Sequence, residues 1–253
     1  MPEFSDLFIV LPAFLAGVLV LLTHVPLGEQ VLARGIVFID LAIAQIAGLG
    51  VIAAGLMGYE AYGWQVQVAA ALAAILGAFL LTWTEKWWPD IQEAQIGVIF
   101  VLAATGGLLL LAHNPHGGEH LKDLLSGQIL WVNYQQLVMP LIFTGFITLA
   151  ISLFKQRISG LSFYLLFALS VTISVQLVGV YLVFASLIIP SLSVRKFPKK
   201  KQLLAYVVGI IGYFLGLAFS LIYDLPAGAV IVWCLLLIGV LAYFLSPRLA
   251  ITD

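Results

Sequence analysis

The sequence predicts an all-α, polytopic integral membrane protein of about eight to nine transmembrane helices, forming one domain over 1–253. Three observations carry this. Hydrophobic residues make up 63% of the chain and charged residues only 9%, with a mean hydropathy of +1.14, a balance far from that of soluble domains. Apolar runs long enough to cross a bilayer, roughly 17 to 25 residues, recur along the whole chain. With the N-terminus outside, Arg34, Lys86, Lys155, Arg157, the cluster at 195–201 and Arg248 are all cytoplasmic, as is the C-terminus, and only Lys122 is left outside.

The runs fall at about 7–25 with an extension to 33, then 36–57, 65–83, 95–112, 132–154, 161–177, 178–194, 203–222 and 227–245. The tight place is 161–194. It lies between two basic loops and must cross twice, with Val178-Gly179 as its turn, so one crossing there is short, tilted or partly re-entrant. No long linker, low-complexity tract or internal repeat divides the chain.

Composition also excludes. A net charge of −1 offers no basic face for nucleic acid. The single cysteine, Cys234, rules out an internal disulfide or a Cys-based metal cluster. The acidic start MPEFSD, with no small-residue cleavage site after the first apolar run, argues against a removable signal peptide. No G-x-x-x-x-G-K-[ST] occurs, so this chain is not its own nucleotide-driven motor.

Residues 24–50, HVPLGEQVLARGIVFIDLAIAQIAGLG, hold four polar side chains in apolar surroundings. With a turn between Arg34 and Gly35 and helical arms on both sides, Glu29 and Asp40 are equally far from it, and so are His24 and Gln45. The nearer pair lies ~8 Å from the turn and the deeper pair ~16 Å. Ionisable groups at such depth usually face a pathway or one another. Imidazole, carboxylate and amide oxygens suit Zn²⁺, Mn²⁺ or Fe²⁺, making His24, Glu29, Asp40 and Gln45 candidate ligands on a substrate pathway. The competing reading ends the first helix at Val25, leaving Glu29 wet and Asp40 a local cap or partner. Both stay open on residue chemistry alone.

The next inner loop, WTEKWWPDIQEAQIGVIF, sets Trp83, Trp87 and Trp88 around Lys86, an interfacial aromatic belt. Outside, HNPHGGEHLKDLLSGQILWV gathers His113, His116 and His120 beside Glu119, candidates for loose metal capture or for contact with a partner. His116 to His120 also fits H-x-x-E-H, the inverted zinc-protease signature, but Gly117-Gly118 disfavours the helix that chemistry needs. In 178–202, VGVYLVFASLIIPSLSVRKFPKKKQ, Pro190 ends or kinks the helix, and 191–197 forms a short amphipathic segment at the inner surface. There Pro190, Ser191, Arg195 and Lys196 serve either a soluble partner or simple positive-inside anchoring.

Several of these segments resemble the zinc/manganese ABC transporter permeases, the ZnuB-like, ABC-3 type family. Pro26-Leu27-Gly28, Arg34 and Gly50 match its first hairpin, and Glu93 with Ile96-Gly97-Val98 its acidic residue and I-G-I/V segment. Leu124 to Leu130, Val178-Gly179, Ala185 to Pro190 and Tyr223-Asp224-Leu225-Pro226-Ala227-Gly228 match further elements in the family's order. The family's Asp falls on Leu41, with Asp40 displaced by one, its His on Gln45, and a further His of some members on Val101. The implied metal site is therefore altered.

The resemblance implies a permease subunit of a bacterial ABC importer for a divalent transition-metal ion in the inner membrane, a homodimer surrounded by membrane lipid. It implies a separate ATPase subunit holding the ATP, met by the segment after Pro190, and an extracytoplasmic solute-binding protein that delivers the ion. No cofactor is expected on this chain and no catalysis. The alternative is a proton-coupled secondary carrier using Glu29 and Asp40.

Overall fold

The computed structural model describes residues 4–60, 63–112, 114, 118, 122, 125–154 and 160–246, and among them nine α-helices and no strand. These are α1 (Phe4–Arg34), α2 (Ile39–Leu56), α3 (Trp64–Trp87), α4 (Gln92–Leu111), α5 (Tyr134–Phe154), α6 (Leu161–Val178), α7 (Val180–Ser193), α8 (Lys201–Tyr223) and α9 (Ala227–Leu245), with single 3₁₀ turns at Pro89–Ile91 and Ile129–Trp131. Eight helical segments are long and apolar enough to cross a membrane, and α7, at 14 residues, is shorter.

α1 runs unbroken through Pro26 to Arg34. A proline removes the amide that would bond the carbonyl four residues back, here that of Leu22. The Tyr206 hydroxyl of α8 donates to that carbonyl at 3.2 Å, so the freed group is satisfied inside the protein, as a membrane requires. The chain then turns at Gly35, with φ of 71°, and α2 begins only at Ile39. That start corrects the expected matched depths. Asp40 stands one residue into α2, about 2 Å, whereas Glu29 is five residues before the end of α1, about 8 Å. Gln45 is level with Glu29, and His24 lies deeper than either.

The α6–α7 segment divides at Gly179 as the sequence implied. α7 does not end at Pro190 but continues to Ser193, and 194–196 form a turn, so the expected amphipathic segment over 191–197 is absent. A capping box opens α5, where Asn133 accepts from the Gln136 amide and Gln136 from the Asn133 amide, each at 3.0 Å.

Packing sorts the helices into two groups. α2 packs on α3 and α4, and α6 joins them through α3 and α2; α1 packs on α7, α8 and α5, and α9 on α8 and α7. The second group is drawn together by small residues on helix faces. A methyl group at Gly17 would overlap the Tyr213 ring, at Gly209 the Leu21 side chain, at Gly216 Ile231, and at Gly28 the Leu187 carbonyl. Tyr213 is fully enclosed, and its hydroxyl pairs with Ser186 of α7 at 2.8 Å. Ser191 of α7 donates to the Val25 carbonyl at 3.1 Å, tying the same two helices near Gly28.

Because the Leu187 carbonyl is backbone and cannot swing away, Gly28→Ala destabilises the fold by about 1–3 kcal/mol. Gly145→Ala, in an exposed helix position with nothing within reach, is neutral or stabilising. Thermal unfolding of the two purified variants checks the contrast.

Candidate functional site

A cavity of about 640 Å³ lies between the two groups, walled by α2 and α4 on one side and α7 and α9 on the other. Leu41 and Gln45 of α2, one turn apart and so on one face, meet Phe100 and Leu108 of α4, Tyr181, Phe184 and Ile189 of α7, and Trp233 of α9; Leu125 adjoins from the outer loop. Along α7 the lining runs from Val180 to Ile189, nine residue steps or about 14 Å. Among the described lining residues, polar atoms come only from the Gln45 amide, the Tyr181 phenol and the Trp233 indole N–H, which can donate but not accept.

The other members of the predicted quartet do not line this cavity. His24 is fully buried; its Nδ1 lies 2.9 Å from the Val20 carbonyl and 3.0 Å from the Thr23 hydroxyl, and its Nε2 has no partner among the described residues. It stands on the α1 stripe of Gly17, Leu21 and Gly28, which faces α7 and α8. Asp40 is fully buried too, both carboxylate oxygens without a partner among the described residues. Glu29 is half-buried. His113, His116, Glu119 and His120 lie outside the described residues. Nowhere among the described residues do three His, Cys, Asp or Glu side chains gather as a metal site.

At the end of the cavity where α7 starts, three of the sequence's motifs converge. Gly127 (φ 65°) and Gly179 (φ 81°) bring the outer loop and the α6–α7 break into backbone contact, leaving no room for a Cβ on either. A methyl group at Gly228, in the first turn of α9, would in turn overlap the Ser126 carbonyl. Segment 125–128 is thus wedged between the start of α7 and the start of α9, at the end of the cavity that Leu125 and Val180 line.

The start of α4 is tied by polar contacts of its first two residues. Gln92, buried, donates from Nε2 to the Leu81 carbonyl at 3.0 Å and to the Tyr164 hydroxyl at 3.2 Å, while its Oε1 accepts from Thr84 at 3.2 Å. One amide thereby joins α3, α4 and α6. Glu93 accepts from the Phe38 amide at 3.2 Å, capping the start of α2 from α4, and the Arg34 guanidinium lies 4.0 Å from the centre of the Phe163 ring. Sequence reasoning singled out Glu93 but missed Gln92 and Tyr181; a glutamine inside WPDIQEAQ was the available signal.

Of the predicted coupling residues, Pro190 and Ser191 are buried within α7, while Arg195 and Lys196 are exposed on the turn that follows. The Lys196 ammonium sits 4.2 Å from the centre of the Tyr243 ring of α9. Val194 is buried between them and the core, so the turn is anchored while its charges face out.

Residues 6–246 match the ABC 3 transport family. The chain is 26% identical to the manganese transport system membrane protein MntC of Halalkalibacterium halodurans, over 93% of this chain and 87% of that protein. It is 22% identical to the high-affinity zinc uptake system membrane protein ZnuB of Haemophilus influenzae, over 95% and 99%, and 27% identical to a probable iron transport system membrane protein of the same organism, over 74% of each. Among solved structures, PsaBC from Streptococcus pneumoniae in complex with Fab shares the fold, with a TM-score of 0.77 at 19% identity over 95% of this chain and 92% of that one.

Gly179 has φ of 81° and ψ of 162°, a backbone region open essentially to glycine, and it also abuts Gly127. Gly179→Ala therefore lowers thermal stability by more than Gly58→Ala, whose φ of 89° imposes strain in open space. The strain alone costs about 1–3 kcal/mol; comparison of the two unfolding midpoints isolates the added overlap.

Proposed function

The chain belongs to the ABC 3 transport family, and on that premise we propose that it is the multi-pass permease subunit of a bacterial importer for a divalent transition-metal ion, zinc, manganese or iron. The observation that carries the reading is the family match itself, because residues 6–246 take in the cleft and both of its ends. Relatives that match across most of their own length are named for manganese, zinc and iron transport systems, which supports the cargo class.

In this reading ATP is bound and hydrolysed on a separate ATPase subunit, and the permease itself carries no cofactor. The ATPase docks on the turn bearing Arg195 and Lys196 at the cytoplasmic face, where the C-terminus also lies. α7 connects that turn to the cleft and to the outer lock at Gly179, so it serves as a lever of about 21 Å. ATPase closure pushes its inner end, and the wall it contributes to the cavity moves against α2 and α4. An extracytoplasmic binding protein delivers the ion at the outer end, where His113, His116, Glu119 and His120 are the residues suited to receive ion or protein. A second copy of the chain completes the pathway as a homodimer in the inner membrane. Of the quartet, Gln45 is assigned to the path; His24 and Asp40 are enclosed away from it.

Arg195→Glu with Lys196→Glu reverses the exposed charge of the inner turn without touching buried packing. Co-purification of the ATPase and ATP-driven metal uptake are expected to fall together by about tenfold or more, as for removal of close interfacial charge pairs, at unchanged membrane content of the permease. Uptake that proceeds without any ATPase and follows a proton gradient contradicts the reading and favours the carrier built on Glu29 and Asp40.

A further inference from the structure

Given the reading of the cleft as the ion's path, on which this inference rests, we propose that the ion crosses the cavity with its coordination sphere filled by ligands it brings along, water or a small chelator, rather than by side chains of the protein. Divalent transition metals are held by several nitrogen, oxygen or sulfur donors, commonly with an anionic one among them. The described wall offers two groups with a lone pair for a metal, the Gln45 amide and the Tyr181 hydroxyl, both neutral, and the Trp233 indole N–H only donates.

Two of the candidate ligands are turned away, and Glu93, which caps α2 at Phe38, is not among the lining residues. Asp40 adjoins Leu41 in sequence, yet Leu41 is on the wall and Asp40 is enclosed. His24 faces the packing of α1 against α7 and α8. A second copy related by symmetry repeats the same wall, adding another amide and another phenol but no carboxylate or imidazole.

Size is consistent with an ion that keeps its ligands. Six waters at about 30 Å³ each occupy roughly 180 Å³, well below the 640 Å³ of the cavity, so a hydrated ion fits with space left for a small chelate. An apolar wall does not compete for the inner coordination positions, and nothing has to be stripped off at entry or regained at exit. Metal choice is then exercised before the ion reaches the cavity.

The probe is Mn²⁺ alone, added to the full-length protein in lipid nanodiscs, with retention followed by equilibrium dialysis and by the six-line paramagnetic resonance of the aqua ion. The unmodified wall is expected to retain none, and retention that survives both Gln45→Ala and Tyr181→Phe lies off the wall and agrees with the proposal. Leu41→Asp with Gln45→His places a carboxylate and an imidazole one turn apart on the wall and is expected to retain Mn²⁺ at about tenfold or more above the background seen with the unmodified protein. Retention by the unmodified protein that either Gln45→Ala or Tyr181→Phe abolishes overturns the proposal; both are mild substitutions, so the test does not hinge on the double variant folding. In cells expressing the permease with its ATPase, uptake of the aqua ion against uptake of the Mn²⁺–citrate complex identifies which ligands travel with the metal. Uptake of no metal in any form defeats the importer reading itself, a failure distinct from Mn²⁺ held by Gln45 or Tyr181.

Discussion

A bilayer offers no water to a backbone that turns inside it, so the reversal between α6 and α7 must be closed by protein. With 14 residues α7 rises about 21 Å against a hydrocarbon core of about 30 Å, which leaves Gly179 short of the outer surface if Ser193 sits at the inner one. Segment 125–128 descends to meet it, and the meeting is possible because Gly127 and Gly179 both lack side chains and both adopt positive φ. Much of the rest follows from this contact. It fixes the outer end of α7, hence one wall of the cavity, and through Gly228 it sets where α9 begins.

The same helix is bound along its length to the α1–α8 pair by Ser186 with Tyr213 and by Ser191 with the Val25 carbonyl. Its other face lines the cleft. In the proposed reading a push at the turn carrying Arg195 and Lys196 reaches the cavity through this one helix, whereas α2 and α4 are held to α3 and α6 by Glu93 and Gln92. Two bodies joined at a glycine break, with an apolar cleft between them, are the architecture expected of a conduit that opens alternately.

The helices, the split at Val178-Gly179 and the turn after Arg34 were legible because hydropathy, glycine and basic loops act locally. What escaped depends on distant partners. Pro26 leaves open whether the first helix ends or runs on; the orphaned carbonyl at Leu22 is taken by Tyr206 from the far part of the chain, and α1 continues. Residues 35–38 read as helix, yet α2 waits until Ile39, its first turn capped from Glu93 on α4. That delay undid the matched tiers. The site was half visible: Gln45 was singled out and does line the cavity, but nothing local to the sequence marked Tyr181. Asp40, attractive as an intramembrane acid, turns out to be packed away from the cavity.

The central claim is that the cleft between α2–α4 and α7–α9 changes width when the partner ATPase binds nucleotide. With Cys234→Ser as background, spin labels at Ala104→Cys on α4 and Ala229→Cys on α9 face each other across it. Pulsed dipolar spectroscopy on the transporter reconstituted with its ATPase is expected to show a distance distribution that shifts on ATP binding and returns after hydrolysis. The same distance in every nucleotide state, while transport continues, would contradict the account.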